Sequence, residues 1–453
     1  MTKATFSVSG MPVLVVGAAR SGVAAAHLLA RRGAAVTLTD RKADLPEAAD
    51  LQAAGVRLEL GGHTAASFET ARLIVMSPGV PLELPEVVRA RALGIPVIGE
   101  LELASRWLRG PIVAITGTKG KSTTTTLVGR MLEAAGRRVL VGGNIGYPVS
   151  AQVEASTADT VHVIEASSFQ LEATDTFRPW IAALLNFSPD HLDRHPDEAS
   201  YAAAKTRIFA NQQAQDWAVV NADSPEALQM AQQTRAQVVR YGLDPAGQAD
   251  VYAGRGFVWQ RTSEGDVPLL PLAAVQLAGQ HMLSNVVAAT AISHLAGATE
   301  ASLAQALAGF TGLEHVMEPV GRRGGVRFVN DSKATNIDAA ARSIESFDKV
   351  VAIVGGKYKG GDFAELAAPL REHGRAVVAI GEARPLVTAA LAGVVPVVEA
   401  ESLAEAVRRA WDLAVPDGVV LLAPACSSFD MFRDYADRGA RFKEEVRKLM
   451  TDA

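Results

Sequence analysis

The segment that most constrains the fold of this chain is Ile112-Val113-Ala114-Ile115-Thr116-Gly117-Thr118-Lys119-Gly120-Lys121-Ser122-Thr123. Its apolar first half predicts a buried strand, its glycines predict a loop, and the residues from Lys121 onward predict the start of a helix. Glycines let successive backbone N–H groups face one anion, Lys121 supplies a charge for the outer phosphates, and the Ser122 hydroxyl can ligate Mg²⁺. The segment therefore predicts a nucleotide triphosphate site. A turn without function is the alternative, because the strict phosphate-loop pattern needs its first glycine at Ile115.

Composition and charge narrow the class of protein. With 453 residues, 49% of them hydrophobic and 21% charged, the chain can bury sizeable cores in about three domains. Its one cysteine, Cys426, excludes an internal disulfide framework, and no export signal precedes the strand-like run Met11–Val16. No apolar stretch reaches the ~18 residues of a membrane span, and a net charge of −5 offers no broad field for nucleic acid. We therefore expect a cytoplasmic protein that binds small ligands. A monomer is a separate expectation, which composition and charge do not determine.

Alternating strand and helix patterns predict an α/β protein with three domains. The boundaries are placed at 1–108, 109–313 and 314–453, because Arg109-Gly110-Pro111 is a linker-like punctuation and the βαβ rhythm restarts near residue 327. The first and third domains are expected to be Rossmann-like. The central domain is expected to have a mostly parallel sheet, with short antiparallel strands over 251–277 and a helix over 283–296.

In the first domain, the loop Gly17–Gly22 follows the first predicted strand, and Asp40 ends the second. An acidic residue at that place can hydrogen-bond the ribose or the uracil of a nucleotide lying across the sheet. The glycine spacing differs from the dinucleotide fingerprint, so a plain turn with a capping aspartate is the alternative.

In the central domain, two further strands end in polar residues. Glu165 closes an apolar strand, the place where phosphate-loop enzymes hold a metal-binding acid, so it is a candidate magnesium ligand. His191 lies in Asn186–His195, directly after another buried strand, and could ligate a second cation. The alternatives are a solvated loop carboxylate and a surface histidine. Residue chemistry alone gives Lys205, in a predicted helix, no role.

In the third domain, polar residues follow three predicted strands: Asn330–Asn336, Gly355–Lys357 and Pro424–Asp430. Together they suggest a cleft for a charged small molecule, with Lys333 and Lys357 as partners of carboxylate or phosphate groups. Asp331 would lie near adenine, ribose or Mg²⁺. Structural turns remain the alternative.

Six segments, taken in their order and spacing over essentially the whole chain, resemble those of the Mur ligases. They are Thr116–Ser122, Glu165–Leu171, Asp190–Asp193, Tyr201–Lys205, Asn330–Asn336 and Pro424–Phe432. The segment Asn330–Asn336 and the run Pro424-Ala425-Cys426-Ser427-Ser428 resemble those of the members that add D-glutamate. The resemblance implies ATP-dependent ligation of D-glutamate to UDP-N-acetylmuramoyl-L-alanine through an acyl phosphate, with release of ADP and phosphate, in peptidoglycan precursor synthesis.

The resemblance also implies residue roles. The catalytic set would be Lys121, Glu165, His191 and Lys205, the last as a carbamylated lysine. Mg²⁺ would be held by Ser122, Glu165 and His191, and ATP by Gly117, Thr118, Lys119, Gly120, Lys121, Ser122, Thr123, Asn285 and Asp331. The uridine diphosphate would contact Arg20, Asp40, Arg41, Ser77 and Gly79, and Asn144 would contact the substrate. The D-glutamate pocket would be formed by Lys333, Thr335, Lys357, Ser428 and Phe429.

Three positions depart from the family pattern. Lys119 stands where the phosphate loop usually has asparagine. Met282 replaces the first asparagine of the usual Gly-x-His-Asn-x-x-Asn segment, so only Asn285 is carried over as an ATP contact. Val316 replaces an arginine that follows His315, so Arg322 or Arg323 is a candidate substitute.

Two other functions were weighed. A folylpolyglutamate synthetase performs a similar ligation but has no need of the first domain. A non-catalytic nucleotide-binding regulator would bind nucleotide without glutamate-dependent phosphate release, and it leaves the cleft around Lys333 and Lys357 unexplained.

Overall fold

Three sheets organise the chain. The computed structural model describes residues 6–190, 194–277 and 279–451, and in these ranges the strands form sheets of five, nine and six strands. The described residues fall into two compact units, one within Met1–Val275 and Ser284–Ala308 and the other within Gln276–Leu283 and Gly309–Ala453. The predicted α/β class with mostly parallel sheets is confirmed, while the three domain boundaries stay predictions.

The first sheet is entirely parallel, with the strand order β3-β2-β1-β4-β5. Its central strand is apolar, and Val13 to Val16 are at most 2% exposed. Gly17 follows with φ +96°, and a Cβ there would lie 2.6 Å from Cγ2 of Val80, so the turn into the first helix requires glycine. The elements are β1 (Pro12–Val16), α1 (Arg20–Arg31), β2 (Ala35–Asp40), α2 (Ala48–Ala53), β3 (Arg57–Leu60), α3 (Ala65–Thr70), β4 (Leu73–Met76), α4 (Pro85–Ala92), β5 (Val97–Gly99) and α5 (Glu100–Ser105).

The second sheet has the order β14-β13-β12-β11-β10-β9-β6-β8-β7. Its elements are β6 (Ile112–Thr116), α6 (Lys121–Ala134), β7 (Arg138–Gly143), α7 (Val149–Gln152), β8 (Thr160–Glu165), α8 (Ser168–Leu171), β9 (Ile181–Leu184), α9 (Glu198–Thr206), β10 (Trp217–Asn221), α10 (Pro225–Met230), β11 (Gln237–Gly242), β12 (Val251–Gly254), β13 (Phe257–Thr262), β14 (Gly265–Pro271), α11 (Gln280–Leu295) and α12 (Glu300–Leu307). The expectation of antiparallel strands over 251–277 is confirmed for β13 and β14. It also holds for β12, which pairs with β13 in antiparallel fashion and on its other side joins β11 in parallel.

The third sheet has the order β15-β16-β20-β17-β18-β19 and is parallel except for the β15–β16 pair. Its elements are β15 (Glu318–Arg323), β16 (Val326–Asn330), α13 (Ile337–Glu345), β17 (Val350–Gly355), α14 (Ala367–His373), β18 (Gly374–Ile380), α15 (Arg384–Leu391), β19 (Val397–Glu399), α16 (Leu403–Ala414), β20 (Val419–Leu422) and α17 (Tyr435–Thr451). Because the parallel strands β16, β17 and β20 are neighbours, the loops that follow them meet at one edge of the sheet.

The first two sheets are joined by a buried carboxylate. Glu102 in α5 accepts hydrogen bonds at Oε2 from three successive backbone N–H groups, those of residues 175–177, at 2.9 to 3.0 Å. Its Oε1 accepts from the Thr176 hydroxyl and from Arg106. Burial raises the pKa of Glu102, but these donors outweigh burial and leave the pKa below its usual value. The carboxylate is therefore an ionised anchor between the two sheets.

None of the helices in the described ranges combines the length and the apolar character that a membrane crossing needs.

Candidate active site

The predicted phosphate loop lies between β6 and α6. Gly117 and Gly120 have φ of +154° and +79°, and Gly120 directly precedes the first helical residue. A Cβ at Gly120 would lie 2.1 Å from Oδ1 of Asn285 in α11, so the position requires glycine and brings a predicted ATP residue to the loop. The amino end of a 14-residue helix directed at this loop favours an anion.

Two lysines hold their amino groups against the loop. Lys121 Nζ donates to the backbone oxygens of Gly117 and Thr118, both at 2.9 Å. Lys205 in α9 is 1% exposed, and its Nζ donates to the oxygen of Gly117 at 2.8 Å and lies 4.5 Å from the centre of the Tyr201 ring. Burial, followed by the charge of Lys121, holds the pKa of Lys205 well below its usual value. This geometry favours a neutral amine at Lys205.

Glu165 ends β8, beside the phosphate-loop strand, where its Cα is the register partner of Ile115. The side chain is 1% exposed; Oε1 accepts from Asn144 Nδ2 at 2.7 Å, whereas Oε2 is buried without a hydrogen-bond partner. An unpaired buried carboxylate oxygen is costly, and it fits a cation that prefers oxygen ligands.

The wider donor set fits a cation shared with a phosphate. In the described ranges, no three histidine, cysteine or acidic side chains are grouped so that they could hold a metal ion. Mg²⁺ commonly uses one or two protein carboxylates together with substrate phosphates. Of the other predicted ligands, Ser122 lies in the first turn of α6, and His191 lies outside the described residues.

Asn186, which follows β9, shapes the phosphate loop and was missed as a site residue by sequence reasoning. Its Oδ1 accepts from the backbone N–H groups of Thr118 and Lys119, at 3.1 and 2.8 Å, and its Nδ2 donates to the Lys119 oxygen at 3.1 Å. In the same loop, Asp190 pairs with Lys119 Nζ at 3.2 Å. The available signal was that Asn186 comes just after a buried strand, and β9 proves to pair with β6.

A cleft lies between the first two sheets. It is lined by Ala19, Arg20, Ser21, Ser77, Pro78, Gly79, Gly143, Asn144, Gly146, Pro148 and Gln170. Four predicted substrate residues are thus brought together: Arg20, Ser77, Gly79 and Asn144. Arg20 spans the cleft and donates to the Gly146 oxygen at 2.6 Å.

Two predicted nucleotide residues do not line this cleft. Asp40 accepts from the backbone N–H groups of Ala18 and Lys42, at 2.6 and 2.8 Å, so it caps the turn after β1. Arg41 is exposed. Their contact with a nucleotide stays a prediction.

The third sheet brings the predicted glutamate loops together. The backbone of Lys357 pairs with that of Ser427 through two hydrogen bonds of 2.9 and 3.1 Å, and Ala425 N–H donates to the Ala334 oxygen at 3.0 Å. These bonds join the segments that carry Lys333, Thr335, Lys357, Ser428 and Phe429. Ser428 is 2% exposed and Phe429 68% exposed, so the two neighbours face different surroundings.

A buried arginine beneath these loops was also missed. Arg438 in α17 is fully buried, and it donates to the hydroxyl and backbone oxygens of Ser332, each at 2.9 Å, and to the Cys426 oxygen at 3.1 Å. Burial lowers the pKa of Arg438 to about 10, so the guanidinium stays charged at neutral pH. Burial raises the pKa of the Cys426 thiol to about 12, which makes that thiol inert. One arginine in a helix gave no sequence signal for this position.

Two residues predicted near nucleotide have structural partners. Asp331 accepts from Met317 N–H at 3.2 Å and from the Ser343 hydroxyl, and so fixes the chain just before β15. Arg323 donates to the Leu449 oxygen in α17 and lies 5.0 Å from the centre of the Trp411 ring in α16, so its side chain contacts both helices. The nucleotide role of Asp331 stays a prediction.

Family models match three successive parts of the chain. A Mur ligase MurD-like N-terminal domain matches residues 11–99, a Mur ligase middle domain matches residues 115–293, and a Mur ligase glutamate ligase domain matches residues 317–426.

Relatives match along almost the full length. The UDP-N-acetylmuramoylalanine–D-glutamate ligase of Acidobacterium capsulatum is 45% identical over 443 residues, which cover 96% of each chain. The ligase of the same name from Koribacter versatilis is 43% identical over 446 residues, covering 98% of each.

Among solved structures, a pseudomurein peptide ligase type C from Methanothermus fervidus has a TM-score of 0.61 at 16% identity, covering 97% of this chain and 100% of that one. The UDP-N-acetylmuramate-alanine ligase MurC from Thermotoga maritima has a TM-score of 0.59 at 19% identity, with the same coverage. At these identities the likeness concerns the fold.

Proposed function

Because the chain belongs to the Mur ligase family, we propose that it joins D-glutamate to UDP-N-acetylmuramoyl-L-alanine, with cleavage of ATP to ADP and phosphate. The observation that carries this proposal is the grouping at one sheet edge of the phosphate loop, buried Lys205 and Glu165 with its unpartnered oxygen. The named relatives support the choice of substrates. Action as a monomer in the cytoplasm stays a prediction.

ATP would be held by the loop Gly117–Thr123 and by Asn285. Glu165 and Ser122 would hold Mg²⁺, which supplies neutralising charge for the phosphates. Lys121 would turn from the loop carbonyls toward the transferring phosphoryl group. The protein's contribution is then to position the reactants and to stabilise charge, which is the main source of catalysis in phosphoryl transfer.

Lys205 would react with carbon dioxide. Its neutral amine adds to the carbon, an N–C bond forms as one C–O π bond breaks, one proton is released, and a carbamate anion replaces the buried neutral amine. Two features support this change: the burial of Lys205 and the cationic groups of Lys121 and Lys119 nearby, which lower its pKa. The anion would then stabilise the magnesium region.

The cleft between the first two sheets would bind the nucleotide-linked substrate. Its terminal L-alanine carboxylate takes the phosphoryl group from ATP, and the resulting acyl phosphate is attacked by the D-glutamate amine, which releases phosphate as the amide forms. The loops around Lys333, Lys357 and Ser428 would bind the amino acid. Lys333 and Lys357 supply cations for its two carboxylates.

The test is phosphate release from ATP with UDP-N-acetylmuramoyl-L-alanine, comparing D-glutamate, L-glutamate and no amino acid. Release that requires both the nucleotide substrate and D-glutamate is the expected result. Release with L-glutamate alone would keep the chemistry and overturn the specificity. Release that depends on neither would return the chain to nucleotide binding without ligation.

A further inference from the structure

Arg194 joins the two walls of the cleft from outside its lining. Its Nη2 donates to the Val80 oxygen at 2.9 Å and to Glu172 Oε1 at 3.2 Å, and its Nη1 lies 3.4 Å from the Gly79 oxygen. The guanidinium also lies 5.0 Å from the centre of the Phe169 ring. Only 16% of the side chain is exposed.

These partners come from different sheets. Gly79 and Val80 belong to the turn after β4 of the first sheet, whereas Phe169 lies in α8 and Glu172 directly after it, beside the second sheet. One planar side chain thus contacts two backbone oxygens on one wall of the cleft and the Phe169 ring on the other wall. A guanidinium suits this task because its donors form a fixed fork.

The turn that Arg194 contacts, residues 77–80, contains predicted substrate residues and supports another. Ser77 N–H donates to the Val16 oxygen and Val80 N–H to the Ser77 oxygen, both at 2.9 Å, so residues 77–80 form one turn against β1. Gly17 is the first residue of the loop that leads to Arg20, and a Cβ at Gly17 would lie 2.6 Å from Val80 Cγ2, so the turn packs closely against this loop. A displacement of the turn would therefore disturb both Gly79 and the Gly17–Arg20 loop.

Arg20 is the other arginine that crosses the cleft, through its 2.6 Å bond to the Gly146 oxygen. Arg20, however, is exposed, lines the cleft and is itself a predicted substrate contact, so substrate binding would change its bond. Arg194 does not line the cleft, and its bonds can persist when the cleft is filled.

We propose that Arg194 is a positioning residue, which holds the Ser77–Val80 turn against α8 so that the cleft keeps the width its nucleotide-linked substrate requires. This rests on the proposed function, which supplies that substrate. Arg194 touches no reacting atom in this scheme; it acts through the turn.

The test measures two affinities on the same protein by calorimetry, for UDP-N-acetylmuramoyl-L-alanine and for ADP with Mg²⁺. Arg194→Ala and Arg194→Lys remove the fork, and the lysine retains the charge. We expect the substrate Kd to rise about 10- to 100-fold in the alanine variant and less in the lysine variant, with the ADP Kd within about twofold of its original value.

The matched control is Arg178→Ala. Arg178 forms a two-bonded pair with Asp216, at 2.7 and 3.1 Å, but these residues precede β9 and β10 and so lie at the opposite sheet edge from the cleft. Both affinities should be unchanged in this control.

Substrate affinity that is unchanged in both Arg194 variants, or ADP affinity that falls as much as substrate affinity, would overturn the assignment. If the unsubstituted protein binds ADP but not UDP-N-acetylmuramoyl-L-alanine, the proposed function fails with it. If it binds both and the variants bind equally well, only the role of Arg194 fails.

Discussion

Lys121 and Lys205 donate to the same atom, the backbone oxygen of Gly117, at 2.9 and 2.8 Å. Two ammonium groups at one oxygen repel each other, and Lys205, at 1% exposure, has little water to screen the repulsion. The neutral form of Lys205 relieves this repulsion while its N–H still donates. The pair thus couples the phosphate-binding lysine to the chemical state of the lysine beneath it.

Carbamylation of Lys205 follows as the first prediction. In protein equilibrated with ¹³C-bicarbonate, a carbamate carbon resonance is expected in the NMR spectrum and should be absent from Lys205→Arg and Lys205→Ala. Ligase activity of both variants should fall about 100-fold or more, because an anion near the metal region is lost. Lys349→Arg, at an exposed ion pair with Asp417, should retain both signal and activity. A resonance that persists in Lys205→Arg would contradict the assignment.

Glu165 should determine how strongly Mg²⁺ stabilises the nucleotide-bound protein. In Glu165→Gln the buried oxygen that fits the cation is lost, so the rise in Tm on adding Mg²⁺ with ADP should largely disappear and activity should fall about 100-fold or more. Glu133→Gln changes an exposed residue on α6 and should keep the full Tm rise. An unaltered Mg²⁺ effect in Glu165→Gln would remove this residue from the proposed metal site.

Substitution of Asn186 should raise the KM for ATP more than the KM values for the other substrates. Asn186→Ala removes three hydrogen bonds that fix the backbone of residues 118–119, so the phosphate loop loses its shape. We expect the KM for ATP to rise about tenfold or more, with the KM for D-glutamate within about twofold. Steady-state kinetics with each substrate varied in turn would show this. Equal changes in all three KM values would indicate a general loss of structure instead.

Substitution of Arg438 should raise the KM for D-glutamate. Arg438→Lys keeps the charge but cannot reach both Ser332 and Cys426 with a fixed fork, so the loops of the glutamate pocket should loosen and the KM for D-glutamate should rise about tenfold. Arg438→Met should in addition lower the free energy of unfolding by about 2–4 kcal/mol, because buried carbonyl oxygens lose their donor. Arg409→Lys, in an exposed pair with Glu405, is the control and should change neither quantity. An unchanged D-glutamate KM in Arg438→Lys would contradict this role.

His162 should make stability depend on pH. It is fully buried in β8, with Nε2 2.8 Å from the Ser156 hydroxyl and Nδ1 without a partner, and burial lowers its pKa to about 4. Between about pH 6.5 and 4, His162 is protonated in the unfolded chain but stays neutral in the folded chain. The free energy of unfolding should therefore fall as the pH is lowered through that window, by up to about 1.4 kcal/mol per pH unit, and level off below it.

Urea unfolding of His162→Gln across the same window should show a shallower dependence on pH. If the variant and the original protein have the same slope, His162 is not the group responsible.

The sequence predicted what depends on local pattern. The strand, loop and helix around Gly117–Ser122 follow from short-range chemistry, and the strand-end positions of Glu165 and Lys333 follow from the parallel sheet. Asn186 contacts Lys119, which is 67 residues away in the sequence, and Arg438 contacts Ser332, which is 106 residues away. A short sequence window contains neither pair, so these contacts could not be predicted from local pattern. Lys205 was singled out by resemblance alone, because its burial depends on the packing of α9 against the phosphate loop.

The carboxylate of Glu102 bears on how this protein can be dissected. A fragment ending near residue 108 would lose the three N–H donors of residues 175–177, and the remaining chain would lose their acceptor. Each piece would then carry polar groups that evolved to be covered by the other. Chimeras with related ligases should therefore exchange the first two sheets as a single block, even though the family models match them as separate domains.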